Sequence, residues 1–212
     1  MKTKAAVIDL SINNIKSIVR TLEILTFDVK VVSKKFNIEE YDLIVLPGVG
    51  SFSEGSSILK KNGLIETINE AHKQNKNILG ICLGMQLLLS DSEEFGYTLG
   101  IDLIKGNVKN FSYETEAKKI NIGWKKILLN QFFKDDKFFK YLETNNLLNS
   151  HYYFVHSFYA KNVNKNNILA SSKNFNFEFP SIIKKNNIYG FQFHPEKSGE
   201  SGLKLLQFFL KN

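Results

Sequence analysis

Residues 77–89 read NILGICLGMQLLL. Residues 77–81 form a short apolar run of the kind that makes a buried strand, and residues 85–89 continue in a helix-like pattern. Between them, residues 80–84 (GICLG) have the form Gly-x-nucleophile-x-Gly, with the thiol of Cys82 where a hydroxyl more often stands. A sharp strand-to-helix turn lifts such a side chain clear of its sheet, and small flanking residues keep that turn free of clashes. The start of the following helix favours a thiolate, and the amide of Leu83 is placed to receive a developing oxyanion. Taken alone, the pentapeptide suits a buried, inert cysteine equally well, because cysteine is among the most buried residue types.

The segments on either side of this stretch set the fold class. Residues 5–10 (AAVIDL), 28–33 (DVKVVS) and 42–46 (DLIVL) read as strands, the last stopped by Pro47 and Gly48. Residues 14–27 carry Ile15, Ile18, Leu22 and Leu25 at helical spacing, and residues 64–74 carry Leu64, Ile65, Ile68 and Ala71. Strands alternating with helices imply an α/β fold with a parallel, doubly wound sheet, whose functional groups lie just past the carboxyl ends of the strands. From about residue 103 the pattern changes to closely spaced strands at 122–128, 152–159, 168–171, 181–184 and 188–193, which predicts an antiparallel section. Residues 199–210 return to helical spacing. No Pro/Gly/Ser-rich linker interrupts the chain, so residues 1–212 read as one domain.

Composition narrows the function classes. The hydrophobic fraction of 43% and charged fraction of 23% are those of a globular chain, not a disordered one. A single cysteine rules out an intrachain disulfide and a four-thiolate zinc site, and four scattered histidines offer no ligand cluster, so no metal or organic cofactor is expected. No run of about 18 apolar residues is present, so no membrane span is expected. The N-terminus lacks the apolar region of a signal peptide, which points to the reducing cytoplasm. The net charge of +7 comes from scattered lysines and one arginine, Arg20, without a basic helix or an aromatic–basic motif, so no nucleic-acid partner is expected.

A thiol nucleophile needs a base and a group to orient that base. His72 falls in a polar helical stretch and reads as a surface residue, and His151 merely begins a strand. His194 ends the apolar strand 188–193, is followed by Pro195, which fixes the departure of the chain, and has Glu196 two residues on to hold its tautomer. The glycine-rich loop Gly48-Val49-Gly50 directly follows a strand. It lacks the Lys and Ser/Thr of a phosphate-binding loop and reads instead as a second source of oxyanion amides beside Cys82.

With these elements in chain order, the sequence resembles the class I glutamine amidotransferases of the triad type. The resemblance rests on PGVGSF at 47–52, GICLGMQ at 80–86 and FQFHPEKSG at 191–199. NIGW at 121–124 and YFVHSFY at 153–159 narrow it to the glutaminase subunits of imidazole glycerol phosphate synthase. The resemblance implies a three-layer α/β/α, flavodoxin-like fold with a mixed, mainly parallel sheet. It implies hydrolysis of L-glutamine through a cysteinyl thioester, with Cys82 as nucleophile, His194 as base and Glu196 as triad acid. By the same resemblance Gly48, Val49, Gly50 and Leu83 supply the oxyanion region, and Gln86, His156, Ser157 and Phe158 border the substrate. Asn14, Trp124 and Lys197 would face a (β/α)₈-barrel cyclase in a heterodimer, where ammonia is used to make imidazole glycerol phosphate and AICAR in histidine biosynthesis.

Two segments depart from the family pattern. Where the family has Asp-Tyr-Gly-x-Gly-Asn, residues 9–14 read DLSINN, and Lys125 rather than Asn follows Trp124. By the resemblance both segments would lie on the partner-facing side, so a second reading stays open: the same glutaminase chemistry feeding a paralogous synthase that amidates another metabolite, such as a surface-sugar precursor. A silent binding subunit is disfavoured, because nucleophile, base and orienter are all present.

Overall fold

The computed structural model describes residues 2–11 and 15–210. The first half runs β1 (Lys4–Ile8), α1 (Lys16–Ile24), β2 (Asp28–Val32), β3 (Leu43–Gly48), α2 (Phe52–Lys61), α3 (Leu64–Lys73), β4 (Asn77–Cys82) and α4 (Leu83–Leu87). The second half continues with β5 (Asp91–Ser92), β6 (Thr98–Leu99), β7 (Asn107–Asn110), β8 (Asn121–Lys126), β9 (Leu128–Leu129), α5 (Lys137–Thr144), β10 (His151–His156), β11 (Phe158–Lys161), β12 (Ile168–Asn174), β13 (Phe177–Lys185), β14 (Ile188–Phe191) and α6 (Gly199–Gln207).

The central sheet has the order β2-β1-β3-β4-β14-β13-β12-β9. Its first five strands are mutually parallel and its last three, β13, β12 and β9, run antiparallel to their neighbours, as the change of pattern in the sequence predicts. Alternate strand residues enter opposite cores: Ala5, Val7, Leu43 and Val45 join one, and Ala6, Ile8, Ile44 and Leu46 the other. That burial on both faces is why these strands read as unbroken apolar runs. The first core is closed by Ile18 and Leu22 of α1, Phe138 of α5 and Leu205 and Leu206 of α6, the second by Leu59 of α2 and Leu64 and Ile68 of α3. The result is the expected three-layer α/β/α arrangement. Each large apolar side chain so buried contributes about 1.5–3 kcal/mol. The first core is unusually aromatic, with Phe138 stacked on Phe191 and Phe191 on Phe193.

Several expectations are corrected. Pro47 and Gly48 do not stop β3, because the parallel ladder to β4 carries on through Pro47–Ile81 and Gly48–Cys82. The strand expected over 152–159 breaks at Ser157: β10 pairs with β8, whereas β11 pairs with β7 in a separate small sheet. The break is fixed by His156 Nδ1, which bonds the Phe158 carbonyl at 2.7 Å, and by the amide of Phe111, which donates to the Ser157 carbonyl at 2.9 Å. Two helices carry no helical signal in the sequence. Helix α2 contains Gly55, Ser56 and Ser57, poor helix formers, yet the Ser51 hydroxyl caps it at Glu54 N. Helix α5 has only eight residues, capped by Asp136 at the amides of Phe138 and Phe139. His72 is half-buried rather than a surface residue, with Nδ1 3.0 Å from Asn187 Oδ1. Among the described residues no helix is long and apolar enough to cross a membrane.

Candidate active site

Strands β1, β3 and β4 run parallel, so the loops at their carboxyl ends gather along one edge of the sheet. Cys82 stands at that edge with φ 53° and ψ −109°, a conformation L-residues rarely adopt. Holding a non-glycine residue there costs about 1–3 kcal/mol and is tolerated where the surroundings impose it. The surroundings are visible in the flanking glycines. A Cβ at Gly80 would lie 2.7 Å from the backbone of Gly84 and Met85, and a Cβ at Gly84 would lie 1.7 Å from the carbonyl oxygen of Leu46. Both glycines of the pentapeptide are therefore required by close backbone approach, and the turn is the nucleophile elbow that the sequence suggests.

The base arrives on β14. Beyond that strand the amide of His194 donates to the Tyr153 carbonyl at 2.9 Å, and the Ser198 hydroxyl, itself donating to the His194 carbonyl at 2.6 Å, accepts from Tyr153 N at 3.0 Å. Pro195 then opens a single 3₁₀ turn that swings Glu196 back toward the ring. His194 Nδ1 lies 2.8 Å from Glu196 Oε1, with both side chains nearly inaccessible. The opposite nitrogen, Nε2, makes no hydrogen bond of good geometry to any described residue. The imidazole is nonetheless drawn to the Cys82 side chain by charge, and catalytic contacts of this kind tighten around substrate. Burial lowers the imidazole pKa, but the interactions with Cys82 and Glu196 outweigh it and push it up to about 10.

Cys82 opens onto a pocket of about 200 Å³ lined by Val49, Gly50, Leu83, Gln86, Glu94 and residues 155–158. The size suits a single amino acid rather than a larger ligand. Gly48 is the register partner of Cys82, and a Cβ on it would press within 2.9 Å of Leu83 Cβ, so the loop backbone lies directly against the elbow. Gln86 is anchored by donating from Nε2 to the Phe158 carbonyl at 3.1 Å and to Gln192 Oε1 at 3.1 Å. His156 is enclosed, and burial, with a smaller push from His194 and Lys125, pushes its pKa down to about 3 against the raising effect of the Phe158 carbonyl. It is thus neutral at physiological pH. Because Nδ1 faces a carbonyl it carries the proton, so Nε2 accepts from Asn121 Nδ2 at 2.7 Å.

The structure therefore brings together Cys82, His194, Glu196, Gly48, Val49, Gly50, Leu83, Gln86, His156, Ser157 and Phe158. Trp124 and Lys197 do not enter the pocket. Trp124 is 54% exposed on β8, beside the equally exposed Ile122, and Lys197 is exposed next to Glu196. Trp124 and the base are nonetheless linked, because its cross-strand partner Tyr153 is the residue that bridges to His194. Asn14 lies outside the described residues. Lys125, the family departure, is half-buried and donates to the Lys173 carbonyl at 3.1 Å. Among the described residues no cluster of His, Cys, Asp and Glu is arranged to hold a metal ion.

Three residues in or beside the site carry no signal of their own in the sequence: Glu94, which lines the pocket, and Gln192 and Asn121, which bond the side chains around it. Glu94 sits in a turn without a motif, and its Oε2 accepts from Phe52 N at 2.6 Å, while burial raises its pKa more than that bond lowers it. Gln192 lies inside the quoted 191–199 motif, hidden as the polar member of an apolar alternation. Asn121 is the first residue of NIGW and reads there only as a strand start.

Comparison with known proteins agrees with this geometry. The family model described as "Glutamine amidotransferase class-I" matches residues 6–212. The chain is 38% identical over 203 residues to "Imidazole glycerol phosphate synthase subunit HisH" of Listeria monocytogenes serotype 4b, covering 96% of this chain and 93% of that protein. It is 39% identical over 210 residues to "Imidazole glycerol phosphate synthase subunit HisH 1" of Methanococcus maripaludis, covering 97% and 98%. Among solved structures, PurLQS from Thermotoga maritima superposes with a TM-score of 0.74 at 23% identity, covering 99% of this chain and 98% of that one, which supports the fold. A crystal structure described as a glutamine amidotransferase does so with a TM-score of 0.72 at 14% identity, covering 97% and 96%. On these grounds the chain belongs to the class I glutamine amidotransferases and, within them, to the HisH subunits of imidazole glycerol phosphate synthase.

Proposed function

We propose that the chain hydrolyses L-glutamine to L-glutamate and ammonia and hands the ammonia to a (β/α)₈-barrel cyclase in histidine biosynthesis. The observation that carries this reading is the strained Cys82 elbow, paired with a buried His194–Glu196 couple, at the mouth of an amino-acid-sized pocket. The thiolate of Cys82 attacks the side-chain amide carbon of glutamine, and the carbonyl electrons move onto oxygen, facing the amides of Leu83 and the Gly48–Gly50 loop. His194, held protonated, gives its proton to the amide nitrogen. The C–N bond breaks and ammonia leaves a thioester. His194 then takes a proton from water, the hydroxide attacks the thioester, and glutamate departs as the thiolate re-forms. Glu196 holds the ring so that Nε2 faces the reaction throughout.

Gln86 and the 156–158 segment hold the amino-acid end of the substrate. Glu94 is the acidic side chain lining the pocket, so it meets the α-ammonium group. The whole chain acts as one glutaminase domain around the central sheet. Trp124, Ile122 and Lys197 form part of the docking face. The names of the relatives described above favour the histidine-pathway acceptor over a paralogous one. The reducing cytoplasm suits an enzyme whose one cysteine must stay a free thiol. Glutamate release by the purified chain, with Cys82→Ala as control, tests the reading: release that survives the substitution refutes it.

A further inference from the structure

We propose that Gln192 is a fourth member of the catalytic machinery, donating a hydrogen bond to the sulfur of Cys82 and favouring its thiolate form. This deepens the glutaminase reading and rests on Cys82 as nucleophile. Gln192 is fully buried, and its Nε2 lies 3.8 Å from Cys82 Sγ. A helix following the elbow favours a thiolate at its start, but α4 has only five residues, too few to develop a full macrodipole. A fixed neutral donor at the sulfur supplies what so short a helix does not.

The direction of the bond follows from its neighbours rather than from the side chain itself. The Phe158 carbonyl can only accept, so the Gln86 group facing it is the NH₂. That same NH₂ donates to the second amide, so the Gln192 atom facing Gln86 is its oxygen. The Gln192 NH₂ is therefore turned toward the thiol. The Phe158 carbonyl also receives His156 Nδ1, which is fixed in turn by Asn121. A backbone carbonyl, which cannot flip, thus sets the polarity of two consecutive glutamines ending at the nucleophile. Gln192 needs no substrate to be held this way, whereas Gln86 borders the substrate as well. The arrangement aligns substrate holding and nucleophile activation through one shared amide contact.

The test exploits Cys82 being the only cysteine in the chain. The rate of alkylation by iodoacetamide is followed against pH by intact mass in the full chain, for wild type, Gln192→Met and Gln192→Leu. Methionine approximates the volume and removes the donor. Leucine removes both the donor and the acceptor without adding a charge beside the sulfur. The charged and titratable groups facing Cys82 are His194 with Glu196 behind it, Glu94 across the pocket and the neutral His156, and all are the same in every variant. The proposal predicts an alkylation midpoint raised by about one pH unit in both variants. It also predicts that kcat for glutamine falls more than KM rises. A purely structural role for Gln192, as a prop for Gln86, would raise KM and leave the alkylation midpoint in place, and that result overturns the proposal. A measurement on the unsubstituted chain decides the matter even if both variants fail to fold. The side-chain amide protons of Gln192 must shift in NMR spectra as Cys82 titrates and lose that shift in Cys82→Ala, and an amide indifferent to the thiol overturns the proposal. Alkylation needs no glutamine turnover, so either claim can fail while the other stands.

Discussion

The α-carbon of Gly84 sits so close to the carbonyl oxygen of Leu46 that a methyl group there would lie 1.7 Å from it. The end of β3 thus presses on the start of α4, and the elbow holding Cys82 exists only because that contact is bare backbone. Gly84→Ala forces the two segments apart. It should destabilise the fold by about 3 kcal/mol or more and abolish glutamate release even in the fraction that folds. Urea unfolding together with a glutaminase assay checks both parts.

The pairing of His194 with Glu196 makes a second prediction. Glu196→Gln leaves an acceptor oxygen near Nδ1 but removes the charge that stabilises the imidazolium and holds the tautomer. Glutaminase kcat should fall by about 10²- to 10⁴-fold, and the melting temperature should fall too, because the buried imidazolium loses its counter-charge. A loss below tenfold would show that the ring is positioned by other groups.

The same pair predicts a pH dependence of stability. Folding raises the His194 pKa from its ordinary value of 6.5 to about 10, so the folded state holds this proton more tightly than the unfolded state. The stabilisation is complete below about pH 6.5, declines as the pH rises above it, and is gone once the pH passes about 10. The stability of wild type relative to His194→Gln should therefore diminish across that window, as measured by urea unfolding at fixed pH values. A difference that grew with pH would contradict the raised pKa.

Glu94 offers a test of the substrate assignment. Glu94→Gln retains an oxygen to accept from Phe52 N, so the fold should be nearly unaffected. Loss of the charge facing the α-ammonium group should raise KM for glutamine by about tenfold or more, with kcat changed much less. Steady-state kinetics with a thermal melt of the same sample separates the two effects.

On the outer surface, Trp124→Ala removes a large exposed ring packed edge-on to Tyr153. If β8 forms part of the docking face, affinity for the cyclase barrel should weaken by about 30-fold, the scale of an interface hot spot. Iodoacetamide alkylation of Cys82 in the isolated chain should be unchanged. Titration calorimetry against the barrel measures the first and intact mass the second.

Much of this was legible in the sequence because the first half obeys local rules. Strands such as 42–46 are buried on both faces and read as apolar runs, α3 keeps its apolar residues on one face, and the glycines flanking Cys82 announce a tight turn. The second half resists because its decisive contacts are long-range. Nothing local marks Ser157 as the point where one strand leaves a sheet and another begins; the break is made by the Phe111 amide, from a distant segment, together with the His156 ring. Pro47 reads as a terminator, yet the ladder to β4 overrides it. Gln192 and Glu94 escaped notice for a related reason. One follows an apolar strand and the other is a surface-like acid, and only the fold brings the first to the thiol and the second to the pocket wall. Helix α2 shows the limit of propensity: its glycine and serines argue against a helix, and packing of Phe52 and Leu59 into the second core decides otherwise.

The most direct test of the account is glutamate release from glutamine by the purified chain, alone and with a histidine-pathway cyclase barrel and its nucleotide substrate, in wild type and Cys82→Ala. The account predicts slow release by the isolated chain, strong stimulation by the loaded barrel, and none in Cys82→Ala under either condition. Release that persists in Cys82→Ala, or a wild-type rate indifferent to the barrel, would contradict it.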